Sequence, residues 1–363
     1  MPDSPVGRLH ARAQELASEG LTRTLRPLEM TGPVTAWDGE RALLVLSSND
    51  YLGLAQDPEL RGAWTGGGSG SSRLIAGSRT AHQALEQALE DHFGQPALVF
   101  SSGYQANLAV LTTLFTDEDT VASDQLNHAS IIDGLRLARA AAQVIPHGQL
   151  PPSGTPGGVV EGLYSMDGDT VDLPAWRSRV AALVVDEAHA VGVLGPGGRG
   201  QAAAADVWAD VRVGTLGKAY GAAGAFVLGP RALKSLLVSL GRAFVYTTAL
   251  AEPAARAGLV GLQLADDERR ERLAARVARF RKGLTQLGLE TRGAHHVVPV
   301  VLGGRTMAVA SRLLEGGILV PGIRWPTVPR GQERLRFSLS AAHTPDQLDR
   351  TLDALAAAVA SPE

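Results

Sequence analysis

Short apolar runs alternate with helical segments through the middle of this chain, and that alternation rules out most folds. Residues 97–100 read as a strand and 105–114 as a helix. Strands are expected around Val121, Val144 and Val159. The clearest buried strand is the unbroken Ala-Ala-Leu-Val-Val run at 181–185, which ends on Asp186 and Glu187. Runs at 211–214 and 225–228 complete the set. Strands apolar at every position are covered on both faces, and their alternation with helices marks an α/β fold with a mainly parallel sheet. In open α/β sheets ligands bind beyond the carboxyl ends of the strands. Asp186 and Thr215 are expected just past two such ends.

The flanks read differently. An amphipathic helix is expected up to about Arg26, before Pro27, then a strand over 42–46 and a Gly/Ser-rich loop over 66–72. Residues 80–93 carry Ala84, Leu85, Ala88 and Leu89 at helical spacing. From about 252 to 287 the chain is helical and charge-rich. Strands at 297–302 and 335–339 bracket a helix at 307–314, and a capping box at Thr344 with Gln347 opens the last helix. This predicts a smaller α+β domain. The expected division is an N-terminal helix and arm over 1–45, a large domain over 46–250 and a small domain over 251–363.

Composition narrows the function. The net charge of −3 gives no global argument for a nucleic-acid partner. There is no Cys, so thiol nucleophiles, disulfides and Cys-ligated metals are excluded, and no metal site is expected. No uninterrupted apolar stretch reaches membrane-spanning length, and the N-terminus lacks a signal-peptide core, so a cytoplasmic protein without a membrane partner is expected.

Only three of the 34 basic residues are lysines. Lys234 and Lys282 sit in amphipathic helical stretches and read as solvated. Lys218 lies among small residues, in Val213-Gly-Thr-Leu-Gly-Lys218-Ala-Tyr-Gly-Ala-Ala-Gly224. Arg stays protonated, whereas a Lys amine can be made neutral by burial and condense with a carbonyl. The surrounding small residues would let backbone approach a flat ligand.

Asp186-Glu-Ala-His189 also occurs in ATPases, but those need a phosphate loop upstream. Here Lys218 lies downstream, with Arg212 at the first Gly position and Ala219 at the Ser/Thr position. Asp186 pairs better with Lys218. Pyridoxal phosphate needs a Lys to hold it as a Schiff base and an acid to keep its pyridine nitrogen protonated. The alternative for Asp186 is a helix cap. His189 could hydrogen-bond the ring oxygen. Ser102, Gly103 and Tyr104 stand between a strand and a helix, where backbone donors bind phosphate, and Thr215 could add a hydroxyl. His128 is a candidate to stack on the ring or a structural His; Ser165 precedes an acidic Gly turn. Alternation puts Arg334, Arg336 and Ser338 on one strand face, so Arg336 either clamps a carboxylate or lies on a solvated edge strand.

These pieces occur in the order Ser47-Ser-Asn-Asp-Tyr-Leu-Gly-Leu54, Gly68-Ser-Gly-Ser-Ser-Arg73, His82-Gln-Ala-Leu-Glu86, Ser102-Gly-Tyr104, Asn127-His-Ala-Ser130, Ser165-Met-Asp-Gly-Asp169, Asp186-Glu-Ala-His189, Gly192-Val-Leu-Gly195, Thr215-Leu-Gly-Lys218 and Ser340-Ala-Ala-His343. Together they resemble the α-oxoamine synthases, pyridoxal-phosphate enzymes of the fold-type I class. The resemblance implies a seven-stranded, mainly parallel sheet in the large domain. It implies that Lys218 holds the cofactor and moves protons, that Asp186 holds the pyridine nitrogen, and that His189 and Ser165 contact the ring oxygen. His128 would stack on the ring, and Ser102, Gly103, Tyr104 and Thr215 would cradle the phosphate. Thr248 would reach that phosphate from a partner subunit, so a homodimer with shared sites is implied. Asn49 and Arg336 would contact the amino-acid carboxylate, and Arg23 the far end of the acyl substrate. The segment Ile323-Arg-Trp-Pro-Thr-Val-Pro-Arg-Gly331 is most similar to the members that condense L-alanine with pimeloyl-coenzyme A or a pimeloyl carrier-protein thioester. A member using glycine and an acetyl thioester is the alternative. Residues 146–158 are shorter than expected for the family, and Trp325 stands where a smaller residue or Pro is expected.

Overall fold

The computed structural model describes residues 4–361. Its centre is a seven-stranded sheet in the order β4-β10-β9-β8-β7-β5-β6. The strands are β4 (Ala97–Phe100), β5 (Thr120–Asp124), β6 (Ala141–Ile145), β7 (Thr155–Glu161), β8 (Val180–Asp186), β9 (Val211–Thr215) and β10 (Ala225–Leu228). Only β10 runs antiparallel to its neighbours. The expected α/β architecture with a mainly parallel seven-stranded sheet is what the chain forms. The apolar run of β8 explains its central place: Leu183, Val184 and Val185 are buried between β7 and β9. Asp186 and Thr215 are the last residues of their strands rather than the first residues beyond them.

Two further sheets flank this one. β1 (Glu29–Gly32), β2 (Thr35–Trp37) and β3 (Ala42–Val45) form a meander that β12 (Ile318–Leu319) joins in parallel, with Ile318 opposite Leu44. β11 (Val297–Val301), β14 (Arg334–Ser338) and β13 (Gly322–Ile323) form an antiparallel sheet with β14 in the middle. A central strand is buried on both faces, so Arg334 and Arg336 lie inside the protein along with Leu335 and Phe337. The solvated-edge alternative is thereby excluded.

The helices follow the sequence pattern closely, with one departure. α1 (Pro5–Ser18) stops well short of Arg26, because Gly20 takes a left-handed φ of 66° just past its end. The charge-rich segment after 252 is helical as expected, in two helices: α10 (Glu252–Leu264) and α11 (Asp267–Gln286), the second capped by the Asp266 side chain. Between α1 and α10 in the chain come α2 (Pro58–Gly62), α3 (Thr80–Phe93), α4 (Gly103–Leu114), α5 (Ala129–Ala138), α6 (Leu173–Arg177), α7 (Gln201–Ala204), α8 (Arg231–Leu240) and α9 (Arg242–Val245). α12 (Thr306–Glu315) and α13 (Pro345–Ala360) close the chain, and Thr344 and Gln347 form the expected capping box. Lys234 on α8 is not solvated as expected; it is half-buried and pairs with Glu90 at 2.8 Å. No helix among the described residues is long and apolar enough to cross a membrane.

Glycine fixes the turn that carries Lys218. Gly221 has a φ of 64°, and a Cβ there would lie 2.5 Å from the Ala55 nitrogen. Gly221 therefore lets the turn after Lys218 pack on the backbone at 54–55.

Candidate active site

β7, β8 and β9 are adjacent and parallel, so their carboxyl ends bring Glu161, Asp186 and Thr215 together. A cavity of about 240 Å³ opens there, lined by these three with Gly103, Tyr104, Asn107, His128, Ser130, His189 and Lys218. Strand ends thus place residues as far apart in the chain as Glu161 and Thr215 at one point.

Lys218 is half-buried and lines the cavity. Burial pushes its amine down to about 8, against the opposing pull of Asp186 and Glu161. Among the described residues nothing hydrogen-bonds its amine. A readily neutralised amine with no competing partner is prepared to attack a carbonyl.

Asp186 is 6% exposed and firmly oriented. Its Oδ2 accepts from Asn107 Nδ2 at 2.7 Å, and its Oδ1 accepts from the Ala188 backbone at 2.9 Å. The Ala188 bond closes a turn and no helix follows Asp186, so the helix-cap alternative is not realised, and the side chain faces the cavity. Asn107 also donates to Ser130 Oγ at 2.9 Å, and Ser130 meets His128 Nδ1 at 2.7 Å. His128 is therefore tied to Asp186 through two side chains. Sequence reasoning missed both of them, as well as Glu161. Glu161 is 3% exposed, and its Oε1 has no partner. Burial, and then the neighbouring Asp186, hold its carboxyl well above the usual range.

The opposite wall is the start of α4. Ser102 caps that helix, its Oγ accepting from the Gln105 backbone at 3.2 Å. A Cβ on Gly103 would meet nothing within 4 Å, so the first turn stands open. The unpaired N–H groups there suit an anion. Tyr104 packs edge-on to His128 and donates to Asp133. Thr215 Oγ1 donates to the Gly224 carbonyl and accepts from the Gly217 backbone.

A second constellation adjoins the cavity. Arg336 is 6% exposed, yet all its recorded partners are neutral: Ser165 O, Ser338 Oγ and Asn49 Oδ1. A buried guanidinium without a carboxylate is an anion site in waiting. Arg334, two residues earlier, differs: it binds Asp167 at 2.6 Å, and Arg292 shares that carboxylate at 2.9 Å. His189 is tied to this group through Tyr51, whose hydroxyl lies 2.6 Å from its Nδ1. Burial keeps His189 well below the ordinary His range, and Lys218 and Arg336 add to the effect.

Three expected residues lie elsewhere. Ser165 lines a neighbouring cavity of about 450 Å³ with Leu126, Ile132, Val328 and Arg292, and its carbonyl rather than its hydroxyl meets Arg336. Arg23 is exposed and reaches Thr327, on the rim of that second cavity, at 3.1 Å. Thr248 is exposed and outside the first cavity; its carbonyl accepts from Ser101 at 3.5 Å.

An amine for a carbonyl, an acid held in place, a helix start for a phosphate and a hydroxyl beside it fit pyridoxal phosphate. The comparisons agree. The model of the class I and II aminotransferases matches residues 41–355. The 8-amino-7-oxononanoate synthase of Anaeromyxobacter dehalogenans is 46% identical over 375 residues, covering 96% of this chain and 94% of its own. A solved structure described as SPT with its PLP internal aldimine matches with a TM-score of 0.89 at 29% identity, covering 97% of this chain and 96% of its own. The 8-amino-7-oxononanoate synthase of Francisella tularensis matches with a TM-score of 0.75 at 29% identity, covering 87% of this chain and 98% of its own. The chain thus belongs to the class I and II aminotransferases, among the pyridoxal-phosphate enzymes of the α-oxoamine synthase kind.

Proposed function

We propose that this enzyme condenses L-alanine with a pimeloyl thioester, carried by coenzyme A or a carrier protein, and releases 8-amino-7-oxononanoate, carbon dioxide and the thiol. The observation that carries the reading is the Lys218 amine facing Asp186 in one cavity, with the buried Arg336 guanidinium, whose hydrogen-bond partners are neutral, nearby. Pyridoxal phosphate, when bound, supplies an electron sink conjugated to the α-carbon of the amino acid.

Each residue then has a task. Lys218 would hold the cofactor, and its amine is the group placed to take the α-proton of alanine. Asp186, oriented by Asn107, keeps a proton on the pyridine nitrogen. His189 would meet the ring oxygen and His128 would cover the ring, whereas Ser165 acts from the neighbouring cavity through its carbonyl on Arg336. Ser102, Gly103, Tyr104 and Thr215 receive the phosphate, joined by Thr248 from a second subunit of a homodimer. Arg336 and Asn49 take the alanine carboxylate, a charge-assisted contact made in low dielectric. The α-carbon attacks the thioester carbonyl and the thiol leaves. Carbon dioxide departs from the former carboxylate, and a proton returned by Lys218 completes the product. The larger cavity, with Leu126, Ile132 and Val328 in its wall, suits the acyl chain. Arg23 guards its far end. A cytoplasmic location accompanies this reading.

Product analysis by mass spectrometry tests it. The cofactor-loaded enzyme is given L-alanine or glycine, each with pimeloyl- or acetyl-coenzyme A. Formation of 8-amino-7-oxononanoate from the first pair is expected. Turnover confined to glycine and the acetyl thioester would replace this reading with a glycine acyltransferase.

A further inference from the structure

Tyr51 has no task in the scheme above, yet it stands between its two halves. Its ring is fully buried, and its hydroxyl reaches His189 Nδ1 at 2.6 Å and Asn49 Oδ1 at 3.0 Å. The same Asn49 oxygen accepts from both terminal nitrogens of Arg336 at 3.3 Å. A guanidinium only donates, so that amide oxygen is an acceptor toward both neighbours.

The tyrosine has one proton for two partners. If it points to Asn49, His189 must carry its own proton on Nδ1 and present a bare Nε2. If it turns to His189, the imidazole carries its proton on Nε2, and Asn49 keeps only the guanidinium. Imidazolium is no escape from this choice. The groups facing His189 are Lys218, Arg336, His296 and His128, and with burial they all disfavour the charged ring. Tyrosinate is no escape either, since burial pushes the Tyr51 hydroxyl up to about 12. His296 holds the tyrosine ring in place, with centroids 4.0 Å apart.

We propose that Tyr51 is a positioning residue that sets the tautomer of His189 and couples a carboxylate on Arg336 to the hydrogen bond His189 offers the cofactor. The inference rests on the reading of Arg336 and His189 given above. A carboxylate on Arg336 draws its donors away from Asn49 Oδ1. That oxygen then competes better for the Tyr51 proton, and His189 shifts toward the Nδ1–H form. Both arrangements carry one proton on the hydroxyl and one on the imidazole. The exchange therefore needs no net proton, only cavity solvent as carrier.

The test uses 15N-histidine NMR of the full-length, cofactor-free protein, with the His189 signals assigned by their loss in His189→Gln. Propionate serves as a carboxylate that cannot condense with the cofactor, and calorimetry records its binding. In the wild type, propionate should shift the His189 nitrogens toward the Nδ1–H pattern. Tyr51→Phe should still bind propionate but lose the response, and its resting tautomer should differ from the wild type. Asn49→Ala should lose the response while keeping the Tyr51–His189 contact. In the cofactor-loaded protein, propionate should move the apparent pKa of the visible chromophore in the wild type and not in Tyr51→Phe. An identical His189 pattern in wild type and Tyr51→Phe would overturn the assignment to Tyr51. Bound propionate with no His189 response in the wild type would overturn the coupling. Failure of propionate to bind the wild type would sink the coupling together with the Arg336 reading, whereas the resting tautomer would still judge Tyr51 alone.

Discussion

The cavity at the strand ends and the N-terminal segment are opposites in how this chain holds them. In the cavity, Asp186, Asn107, Ser130 and His128 form one hydrogen-bonded series on elements that the central sheet fixes. In α1 not one residue is buried; Val6, Leu9 and Leu16 are exposed, and Leu25 beyond it is 99% exposed. Arg23, with its contact to Thr327, has no deeper support. Each group that the sheet positions has a constrained place. A residue on an unsupported segment can only tune what the sheet has built. Substitutions should therefore have effects graded by region.

The largest effect is expected at Lys218. Lys218→Arg keeps the charge but cannot condense with a carbonyl, and product formation should fall by roughly a thousandfold or more. Asp186→Asn removes the charge while Asn107 keeps a partner; kcat should drop by roughly 10²–10³-fold with little loss of stability. Near wild-type turnover in either would erase the contrast between the two regions.

The two arginines of β14 sharpen it. Arg336→Gln should raise KM for alanine by about 10- to 100-fold, the worth of hydrogen bonds to a charged group. Arg334→Gln strands the buried Asp167 carboxylate on Arg292 alone, and should cost about 3–5 kcal/mol of stability in chemical denaturation. If Arg334→Gln lost alanine affinity and Arg336→Gln lost stability, the two roles would be reversed.

His147 gives a pH signature. Its Nδ1 contacts Asp124 at 3.0 Å and its Nε2 contacts Asp169 at 3.1 Å. The hydrogen bonds to Asp124 and Asp169 raise it to about 10, outweighing its partial burial. A raised folded-state value stabilises the fold fully below the unfolded value of 6.5, and the gain is lost as pH rises toward 10. The stability gap between wild type and His147→Gln should be widest near pH 6 and shrink steadily to pH 10 in denaturant titrations. The smallest effect is expected at Arg23. Arg23→Ala should change KM for the acyl thioester by no more than about fivefold, with melting temperature unchanged.

What the sequence disclosed follows the same division. The apolar run before Asp186 and the small residues around Lys218 were readable because strands and turns are local. The order of motifs supplied the rest of the expected site. Asn107 was not readable: it sits in a helix whose other residues are mainly apolar, and its partner Asp186 lies 79 positions away. Glu161 closes a strand recognised only by Val159, and nothing local says that its carboxyl is buried beside Asp186 in the register of β7 and β8. Lys234 looked solvated because its acid, Glu90, comes from a different helix. α1 ends before Arg26 because Gly20, a lone glycine in an otherwise helical pattern, takes a left-handed φ of 66°. Local chemistry can be read from a sequence directly, while contacts made by sheet order need the fold.

The most direct test of the central claim is to load the protein with pyridoxal phosphate, reduce it with borohydride and map the modified peptide by mass spectrometry. The chain has only three lysines, so the answer is unambiguous. The account predicts a single pyridoxyl group, on Lys218. Modification at Lys234 or Lys282 instead, or no modification at all, would contradict it.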